Sequence, residues 1–275
     1  MADNVAELDR FLATVAHSRV SALLLDYDGT LAPFSTDRQR AFPYPNVVPL
    51  LQQIMASGRT RLVIITGRSA PQVRFLLGMN PDPEIWGSHG FQRLRPDGTC
   101  ENPSLDPQVE QALWDAKEWL AQQNLQHLAE VKPGGIAIHW RGLPEARASE
   151  VRDRALRGWF PVAQHASMSL LEFDGGVEIR VPDVDKGDAV RTLLGEMDSH
   201  VPVAYLGDDA TDEPAFEALG TLGTRGLSVL VRPVLRKTSA KFWLKPPDEL
   251  VDFLLRWRQA CCGSEAPSEV ERISQ

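Results

Sequence analysis

Residues 23–31 read LLLDYDGTL, an apolar stretch that runs directly into two carboxylates, Asp26 and Asp28. Two later apolar stretches, at 62–65 and 201–206, also lead into polar residues. Stretches that are apolar along their whole length, and that alternate with helical patterns, are typical of a parallel sheet covered by helices on both faces. The sequence therefore predicts an α/β fold.

The middle of the chain has a different pattern. Short strands are predicted around 84–100, followed by helices at 106–123 and 144–158 that alternate with hairpin-like strands, the last at 168–173. This mixture of helices and antiparallel strands indicates an α+β unit. After residue 176 the first pattern of strand and helix resumes, beginning with the strand VEIRV.

We therefore predict two domains. Residues 1–86 and 176–275 are expected to fold together as the core, and residues 87–175 are expected to form an α+β cap domain inserted into it. The hinges between the two are predicted near residues 86–90 and 174–176, where the sequence Asp-Gly-Gly is expected to supply flexibility.

The charge balance restricts the class of partner. The chain has 37 acidic and 29 basic residues, which give a formal net charge of -8. This acidic balance argues against a nucleic-acid partner, because nucleic acids bind basic surfaces. It leaves room for a small anionic substrate, since a bound divalent cation reverses the local field.

Cysteines and apolar runs indicate the compartment. The cysteines are Cys100, Cys261 and Cys262, and their spacing supports neither a disulfide framework nor a zinc site. No apolar run approaches the ~20 residues of a membrane helix, and the N-terminus lacks a signal-peptide pattern. We expect a cytoplasmic protein without a membrane partner. The sequence does not reveal an oligomeric state, because it contains no coiled-coil heptad pattern.

Polar side chains that follow the predicted strands suggest one site. The carboxyl ends of parallel strands meet at one edge of a sheet, which places Asp26, Asp28, Thr66 and Asp208 together. Lys186, in the first turn of a helix predicted to begin near Asp185, is expected to join them. A carboxylate can attack phosphorus, and phosphoryl transfer requires a hard cation with positive and hydroxyl donors around it. Mg²⁺ prefers such carboxylate oxygens. The set therefore predicts a magnesium-dependent phosphoryl-transfer site.

Each of these residues also has a structural interpretation. Asp26 and Asp28 could cap the turn that follows them. Thr66 could be an ordinary strand-end residue, and Lys186 a solvated helix side chain. The acidic residues at 208–212 could be favoured by a helix dipole. The catalytic interpretation is preferred because all of them occur in order at strand ends.

Taken together, these motifs resemble a known superfamily. DYDGTL, ITGR, DKGDAV and GDDATDE are similar to the four ordered motifs of haloacid dehalogenase-like phosphatases. More narrowly, LLLDYDGTLAP, GSHG, DKG and LGDDATDEPAF resemble trehalose-6-phosphate phosphatases, over roughly residues 20–245. The resemblance implies a Rossmann-like parallel-sheet core with an inserted α+β cap domain.

The resemblance also implies roles for the core residues. Asp26 is the nucleophile and a metal ligand, and Asp28 is the general acid and base and binds metal through its backbone carbonyl. Thr66 and Lys186 hold the phosphoryl group, and Asp208 binds Mg²⁺. Asp209 and Asp212 match the remaining acidic positions of the family, where one residue is expected to bind the metal through water and the other to orient Lys186.

Substrate contacts are implied for residues of the cap and its border. They are Arg68, His89, Glu130, Lys132 and Glu178. Structural alternatives remain for four of them: Glu130 and Lys132 could be a surface pair, His89 a buried core histidine, and Arg68 a salt-bridging residue at the start of a helix. Two nearby residues are predicted to be structural or to lie at the rim: His139 and Arg141.

Two departures from the family pattern concern the sugar. The motif that usually reads HGAE has an amide at Gln92, and Pro-Gly-Gly follows Lys132. The predicted function is hydrolysis of trehalose 6-phosphate, a small sugar phosphate, through an aspartyl-phosphate intermediate. The alternatives are a phosphatase of glucosyl- or mannosyl-3-phosphoglycerate or glucosylglycerol phosphate, and a protein that binds a sugar phosphate without hydrolysing it.

Overall fold

The computed structural model describes residues 2–35, 37–173 and 175–262. Its strands are β1 (Ser21–Leu25), β2 (Thr60–Ile65), β3 (Glu84–Gly87), β4 (Gln92–Leu94), β5 (Cys100–Glu101), β6 (Ala129–Lys132), β7 (Gly135–His139), β8 (Ser169–Phe173), β9 (Gly176–Arg180), β10 (Val203–Gly207), β11 (Gly226–Val231) and β12 (Phe242–Leu244). Its α-helices are α1 (Ala2–His17), α2 (Val47–Ala56), α3 (Ala70–Leu77), α4 (Pro107–Gln122), α5 (Glu145–His165), α6 (Lys186–Gly195), α7 (Glu213–Gly220) and α8 (Asp248–Cys262). Across these ranges, no helix combines the length and apolarity needed to cross a bilayer.

The larger sheet has the strand order β12-β11-β10-β1-β2-β3-β4-β5. Strands β12 to β3 run parallel, and β4 and β5 extend the sheet in antiparallel fashion. β1 lies between β10 and β2, with Leu25 opposite Leu206 on one side and Ile64 on the other. The parallel part of this sheet confirms the predicted α/β class.

Helices cover both faces of the larger sheet, which explains why β1 is apolar throughout. Successive strand residues point to opposite faces. Leu23 and Leu25 pack in the core that includes Trp257 of α8, whereas Leu24 packs in the opposite core with Phe216 of α7. All five residues of β1 are buried as a result.

The smaller sheet is antiparallel, with the order β6-β7-β9-β8. Helices α4 and α5 cover one face of it, and their apolar residues form a third core around the buried Trp159. Ile138 of β7 and Ile179 of β9 belong to this core. Because α4 and α5 pack on one face of the sheet, the opposite face is available to residues of a site.

Sheet membership corrects the predicted domain boundaries. Residues 92–101 were predicted to belong to the cap, but β4 and β5 extend the larger sheet, and 176–180, predicted as core, forms β9 of the smaller sheet. Short hairpin-like strands look alike in sequence whichever sheet they join, so the pattern could not assign them. The division into core and cap, and the hinge at 174–176, stay predictions; Asp174 lies outside the described residues.

Candidate active site

Asp26 lies at the carboxyl end of β1, near the middle of the larger sheet. Its backbone N–H donates to the carbonyl of Leu206 at 2.8 Å, and its side chain is only 3% exposed. Oδ1 lies 2.7 Å from Lys186 Nζ, and Oδ2 accepts a hydrogen bond from Thr30 Oγ1 at 3.0 Å. Burial raises the pKa of Asp26 to about 7, although the Lys186 charge opposes the rise. Both oxygens are thus held in one orientation.

Lys186 is positioned by the start of α6. Asp185 caps this helix in a capping box with Asp188, which fixes where the first helical residue lies. The buried Lys186 ammonium contacts Oδ1 of Asp26 and Oδ1 of Asp212, each at 2.7 Å. Burial alone would lower the pKa of Lys186, but the Asp212 and Asp26 carboxylates raise it, so the group stays charged.

Asp212 joins the lysine to the loop after β10. Its Oδ1 also accepts from the Tyr205 hydroxyl at 2.6 Å, and its Oδ2 accepts from the backbone N–H groups of Asp208 and Asp209 at 2.9 and 3.0 Å. The structure therefore brings Asp212 and Lys186 into contact, as the predicted orienting role requires. Asp209 instead accepts from the Thr211 N–H and hydroxyl, at 2.8 and 2.7 Å.

Three buried carboxylates form a candidate metal site. Oxygens of Asp26, Asp208 and Asp212 all lie within 4.8 Å of one another. Asp208 Oδ2 is buried without a hydrogen-bond partner among the described residues. Burial and the nearby carboxylates of Asp26 and Asp212 raise the pKa of Asp208. Hard oxygen ligands, excess negative charge and an unpartnered oxygen fit a divalent cation such as Mg²⁺.

Gly29 allows the first loop to approach this cluster. It has φ +82°, and a Cβ atom at this position would lie 2.2 Å from Asp208 Oδ2. Any other residue would therefore be strained and would collide with the carboxylate. The glycine of DYDGTL is needed for the contact between the loop after β1 and the loop after β10.

Thr66 follows β2, the strand next to β1. It is 1% exposed, and its Oγ1 accepts from the backbone N–H of Arg68 at 3.2 Å. This contact leaves the hydroxyl hydrogen as a donor. The structure thus places Thr66 at the same sheet edge as Asp26.

Arg68 forms an ion pair with a neighbouring carboxylate, as its structural alternative expected, and its contact with substrate stays a prediction. Its Nε and Nη2 donate to the two oxygens of Asp28, each at 2.6 Å, and its Nη1 donates to the carbonyl of Arg38 at 2.6 Å. The side chain is 2% exposed, and its guanidinium lies 5.7 Å from the centroid of the Tyr27 ring. The rotamer that faces Asp28 could not be derived from the TGR motif.

Lys132 and Glu178 of the smaller sheet contact the segments that follow β2 and β3 of the larger sheet. Lys132 Nζ lies 2.5 Å from Glu178 Oε1 and donates to the carbonyl of Gly67 at 2.9 Å. Glu178 Oε2 lies 3.2 Å from Nε2 of His89. Burial alone would raise the pKa of Glu178, but Lys132 and His89 lower it. These three predicted substrate residues therefore form one buried cluster.

His89 is held in an unusual backbone conformation beside this cluster. Its φ is +58°, and its Nδ1 is buried without a hydrogen-bond partner among the residues described. A Cβ on Gly67 would lie 2.7 Å from the His89 ring. Burial lowers the pKa of His89 in spite of Glu178. Such strain is found mostly where function requires a fixed side chain.

Glu130 contacts Arg38, a residue of the segment after β1 that no sequence motif indicated. Its carboxylate contacts the guanidinium of Arg38 and lies 3.2 Å from His139 Nε2. Burial would raise the pKa of Glu130, but the His139 hydrogen bond and the charges of Lys132 and Arg38 lower it to about 2. Arg38 lies in a 3₁₀ helix, Arg38–Arg40, in the segment after β1.

A pocket of about 180 Å³ lies between the two sheets. Predicted residues that line it are Asp28, Arg68, His89, Lys132, Glu178, Asp208 and Asp209. Residues that sequence reasoning missed or placed at the rim also line it: Phe34, Arg38, His139, Arg141, Leu171, Phe173 and Arg180. The Arg141 guanidinium lies 4.4 Å from the centroid of the Phe34 ring, so one wall is aromatic. The pocket thus joins Asp208, a carboxylate of the candidate metal site, to polar groups of the smaller sheet.

Comparisons with known proteins agree on one family. A family model described as trehalose-phosphatase matches residues 24–248. The trehalose-phosphate phosphatase of Mycobacterium tuberculosis is 32% identical over 252 residues, which cover 86% of this chain and 61% of that protein. This chain therefore spans about three fifths of the length of its mycobacterial relative.

Solved structures show the same fold. The C-terminal domain of a trehalose-6-phosphate phosphatase from C. albicans superposes with a TM-score of 0.76 at 20% identity, covering 91% of this chain and 96% of that one. A haloacid dehalogenase-like hydrolase from B. subtilis superposes with a TM-score of 0.59 at 14% identity, covering 86% and 99%. They confirm the predicted haloacid dehalogenase-like fold.

Proposed function

The chain belongs to the trehalose-phosphatase family, and we propose that it hydrolyses trehalose 6-phosphate to trehalose and phosphate. One observation carries this proposal. Asp26 and Asp28, at the end of β1, share the edge of the sheet with Lys186 and with the unpartnered carboxylate of Asp208. A buried nucleophile, a fixed cation and a carboxylate with a free oxygen are the parts that phosphoryl transfer to a carboxylate requires.

The carboxylate cluster is proposed to hold Mg²⁺. Asp26 and Asp208 would supply side-chain oxygens, and Asp28 its backbone carbonyl; Asp212 is already occupied by four hydrogen bonds. The bound ion supplies positive charge that offsets the phosphoryl oxygens and the buried carboxylates. Without it, Lys186 is the one cation in contact with Asp26 among the residues described.

The protein groups divide the reaction between them. A carboxylate oxygen of Asp26 attacks phosphorus and forms an aspartyl phosphate, while the bond from phosphorus to the sugar oxygen breaks. Asp28 donates a proton to that leaving oxygen and then accepts one from the water that hydrolyses the aspartyl phosphate. The Lys186 ammonium and the Thr66 hydroxyl bind phosphoryl oxygens throughout.

The smaller sheet is proposed to bind the sugar. Lys132 and Glu178 line the pocket and supply charged hydrogen-bonding groups, and Phe34 supplies an apolar face. Glu130 lies behind the lining residues Arg38 and His139, which its carboxylate contacts. Gln92 is not a lining residue: its amide accepts from the Ala70 N–H at 2.7 Å, away from the pocket. This departure from the family pattern therefore gives no reason to prefer another glycosyl phosphate.

A substrate panel tests the proposal. Phosphate release would be measured with trehalose 6-phosphate, glucosyl- and mannosyl-3-phosphoglycerate and glucosylglycerol phosphate, each with and without Mg²⁺. We expect trehalose 6-phosphate with Mg²⁺ to give the highest kcat/KM. Release from another member of the panel alone would assign that substrate instead.

Asp26→Asn separates an enzyme from a binding protein. It should lower turnover by about 10³-fold or more and still bind trehalose 6-phosphate. Asp153→Asn, at an exposed position of α5, is the matched control and should leave turnover unchanged. Binding by wild type without any phosphate release would contradict the enzymatic proposal.

A further inference from the structure

The backbone of the loop that carries Asp208 is bound by charged side chains. The N–H groups of Asp208 and Asp209 donate to Oδ2 of Asp212 at 2.9 and 3.0 Å. The carbonyl of Asp208 accepts from Nη1 of Arg232 at 3.2 Å. The carbonyl of Asp209 accepts from Nη2 of Arg236 at 2.6 Å. Because the N–H and the carbonyl of a trans peptide point in opposite directions, the peptide between Asp208 and Asp209 is held from opposite sides.

Arg232 is itself fixed by the edge of the larger sheet. It follows β11 directly, and its N–H donates to the carbonyl of Leu244 in β12 at 2.9 Å. Its own carbonyl accepts from Nε1 of Trp243 at 2.7 Å. The backbone of Arg232 thus continues the pairing of β11 with β12, and its side chain extends from a fixed point toward the loop after β10.

Arg236 connects three segments through one guanidinium. Besides its contact with Asp209, its Nη1 lies 2.6 Å from Oε1 of Glu213, the first residue of α7. Glu213 Oε2 in turn accepts from the N–H of Ser239 at 2.7 Å. The loop after β10, the start of α7 and the segment after β11 are therefore held together at this half-buried arginine.

The carboxylate of Asp208 depends on its backbone for its direction. Its Oδ2 is buried and has no hydrogen-bond partner in the part of the chain that the structure describes. The direction of this oxygen is therefore set by the backbone and by packing, and not by a hydrogen bond to the oxygen itself. Contacts that fix the peptide groups beside Asp208 also fix where Oδ2 lies.

The charge of the two arginines opposes a cation at this site. Each guanidinium repels a divalent ion, and Mg²⁺ and Ca²⁺ carry the same charge, so the repulsion weakens the binding of both alike. Any effect of the arginines on the choice between the two ions is therefore geometric. Mg²⁺ requires near-octahedral oxygen ligands at about 2.0 to 2.1 Å, whereas Ca²⁺ accepts flexible arrangements at about 2.3 to 2.6 Å.

We propose that Arg232 and Arg236 are positioning residues that give the proposed metal site its preference for Mg²⁺ over Ca²⁺. They fix the two peptide groups that flank Asp209, and with them the direction of the Asp208 carboxylate. A fixed carboxylate suits the smaller ion, which tolerates little displacement of its ligands. Without the arginines, the loop can move to the longer distances that Ca²⁺ prefers. This role rests on the proposed magnesium site.

Calorimetric titration of the substrate-free protein with Mg²⁺ and, separately, with Ca²⁺ tests this role. The measured quantity is the ratio of the Kd for Ca²⁺ to the Kd for Mg²⁺, because loss of a charge shifts both values by the same factor. We expect Arg236→Met to lower this ratio about tenfold. A decrease of less than about threefold would overturn the proposal, even if both ions bound more tightly or more weakly than in wild type.

Arg232→Met gives an independent test, because this side chain contacts a different carbonyl. Its contact of 3.2 Å is longer than the 2.6 Å contact of Arg236, so we expect a smaller decrease in the ratio, of about threefold to fivefold. Circular dichroism at the titration temperature checks that each variant is folded. If Arg236→Met does not fold, Arg232→Met decides the proposal, and a decrease of less than about twofold overturns it.

Lys237→Met is the matched control. It removes the same charge from an exposed position next to Arg236, and the ratio should stay within about 1.5-fold of wild type. A decrease in this control as large as that in the arginine variants would overturn the geometric role, since charge alone would then account for the effect.

The two proposals fail in different ways. A wild-type chain that binds neither ion would overturn the proposed magnesium site, and the role of the arginines with it. A wild-type chain that binds Mg²⁺, together with arginine variants whose Kd ratio is unchanged, would overturn the role of Arg232 and Arg236 alone.

Discussion

The ammonium group of Lys186 lies 2.7 Å from Oδ1 of Asp26 and 2.7 Å from Oδ1 of Asp212. One buried cation therefore joins the proposed nucleophile to a carboxylate that also holds the backbone of Asp208. The contact orders two loops that follow different strands, so catalysis and stability depend on the same side chain.

Lys186→Met should lower both the catalytic rate and the stability of the fold, by amounts that can be measured separately. We expect kcat to fall by about 10³-fold. We expect the free energy of unfolding to fall by about 3 to 5 kcal/mol, because two buried carboxylates lose their partner. Phosphate release and urea unfolding measure the two effects. Lys117→Met, on an exposed position of α4, is the control. Unchanged stability of the Lys186 variant would contradict the inferred burial cost.

Magnesium binding should be visible without catalysis. At a concentration 100 times its Kd, a ligand stabilises the folded state by about 2.7 kcal/mol. Mg²⁺ should therefore raise the melting temperature of wild type, and a chelator should reverse the increase. Asp208→Asn should lose the shift, whereas Asp97→Asn, in an exposed turn, should keep it. A full shift in the Asp208 variant would place the ion elsewhere.

Two glycines with similar backbone conformations provide a matched comparison. Gly29 has φ +82° and would place a Cβ 2.2 Å from Asp208 Oδ2; Gly58 has φ +66° and no atom within 4 Å of the added Cβ. Both Gly→Ala variants should lose about 1 kcal/mol of stability from the backbone alone. Only Gly29→Ala should also lose most phosphatase activity. Equal activity in the two variants would argue against the close approach of Gly29 to Asp208.

Stability should depend on pH through Glu130. Its pKa is about 2 in the fold and 4.5 ordinarily, since His139, Lys132 and Arg38 outweigh the effect of burial. A lowered folded pKa stabilises the fold above pH 4.5, and this contribution is lost as the pH falls from 4.5 toward 2.

Wild type should therefore be more stable than Glu130→Gln by about 1 to 3 kcal/mol near pH 6, and the gap should shrink toward pH 3. Denaturant unfolding across this range measures it. Glu118→Gln, at an exposed site, should show little difference from wild type at any pH. A gap that stays constant with pH would exclude Glu130 as its source.

The residues at strand ends could be predicted because parallel strands bring their carboxyl ends together. That rule predicts that Asp26, Thr66 and Asp208 lie at one edge of the sheet. The pairing of Arg68 with Asp28 could not be predicted, because it depends on the rotamer of a long side chain. No sequence motif indicated Arg38, because its contact with Glu130 depends on how the two sheets are arranged.

The lining of the pocket has a consequence for selectivity. It carries five cationic and five anionic side chains: Arg38, Arg68, Lys132, Arg141, Arg180, Asp28, Glu172, Glu178, Asp208 and Asp209. Arg68 and Lys132 already hold counter-ions, in Asp28 and Glu178. An incoming molecule that binds Arg68 or Lys132 must therefore exchange partners with Asp28 or Glu178. Such a surface selects for the spacing between an anionic end and a hydroxyl-bearing end, and much less for charge alone.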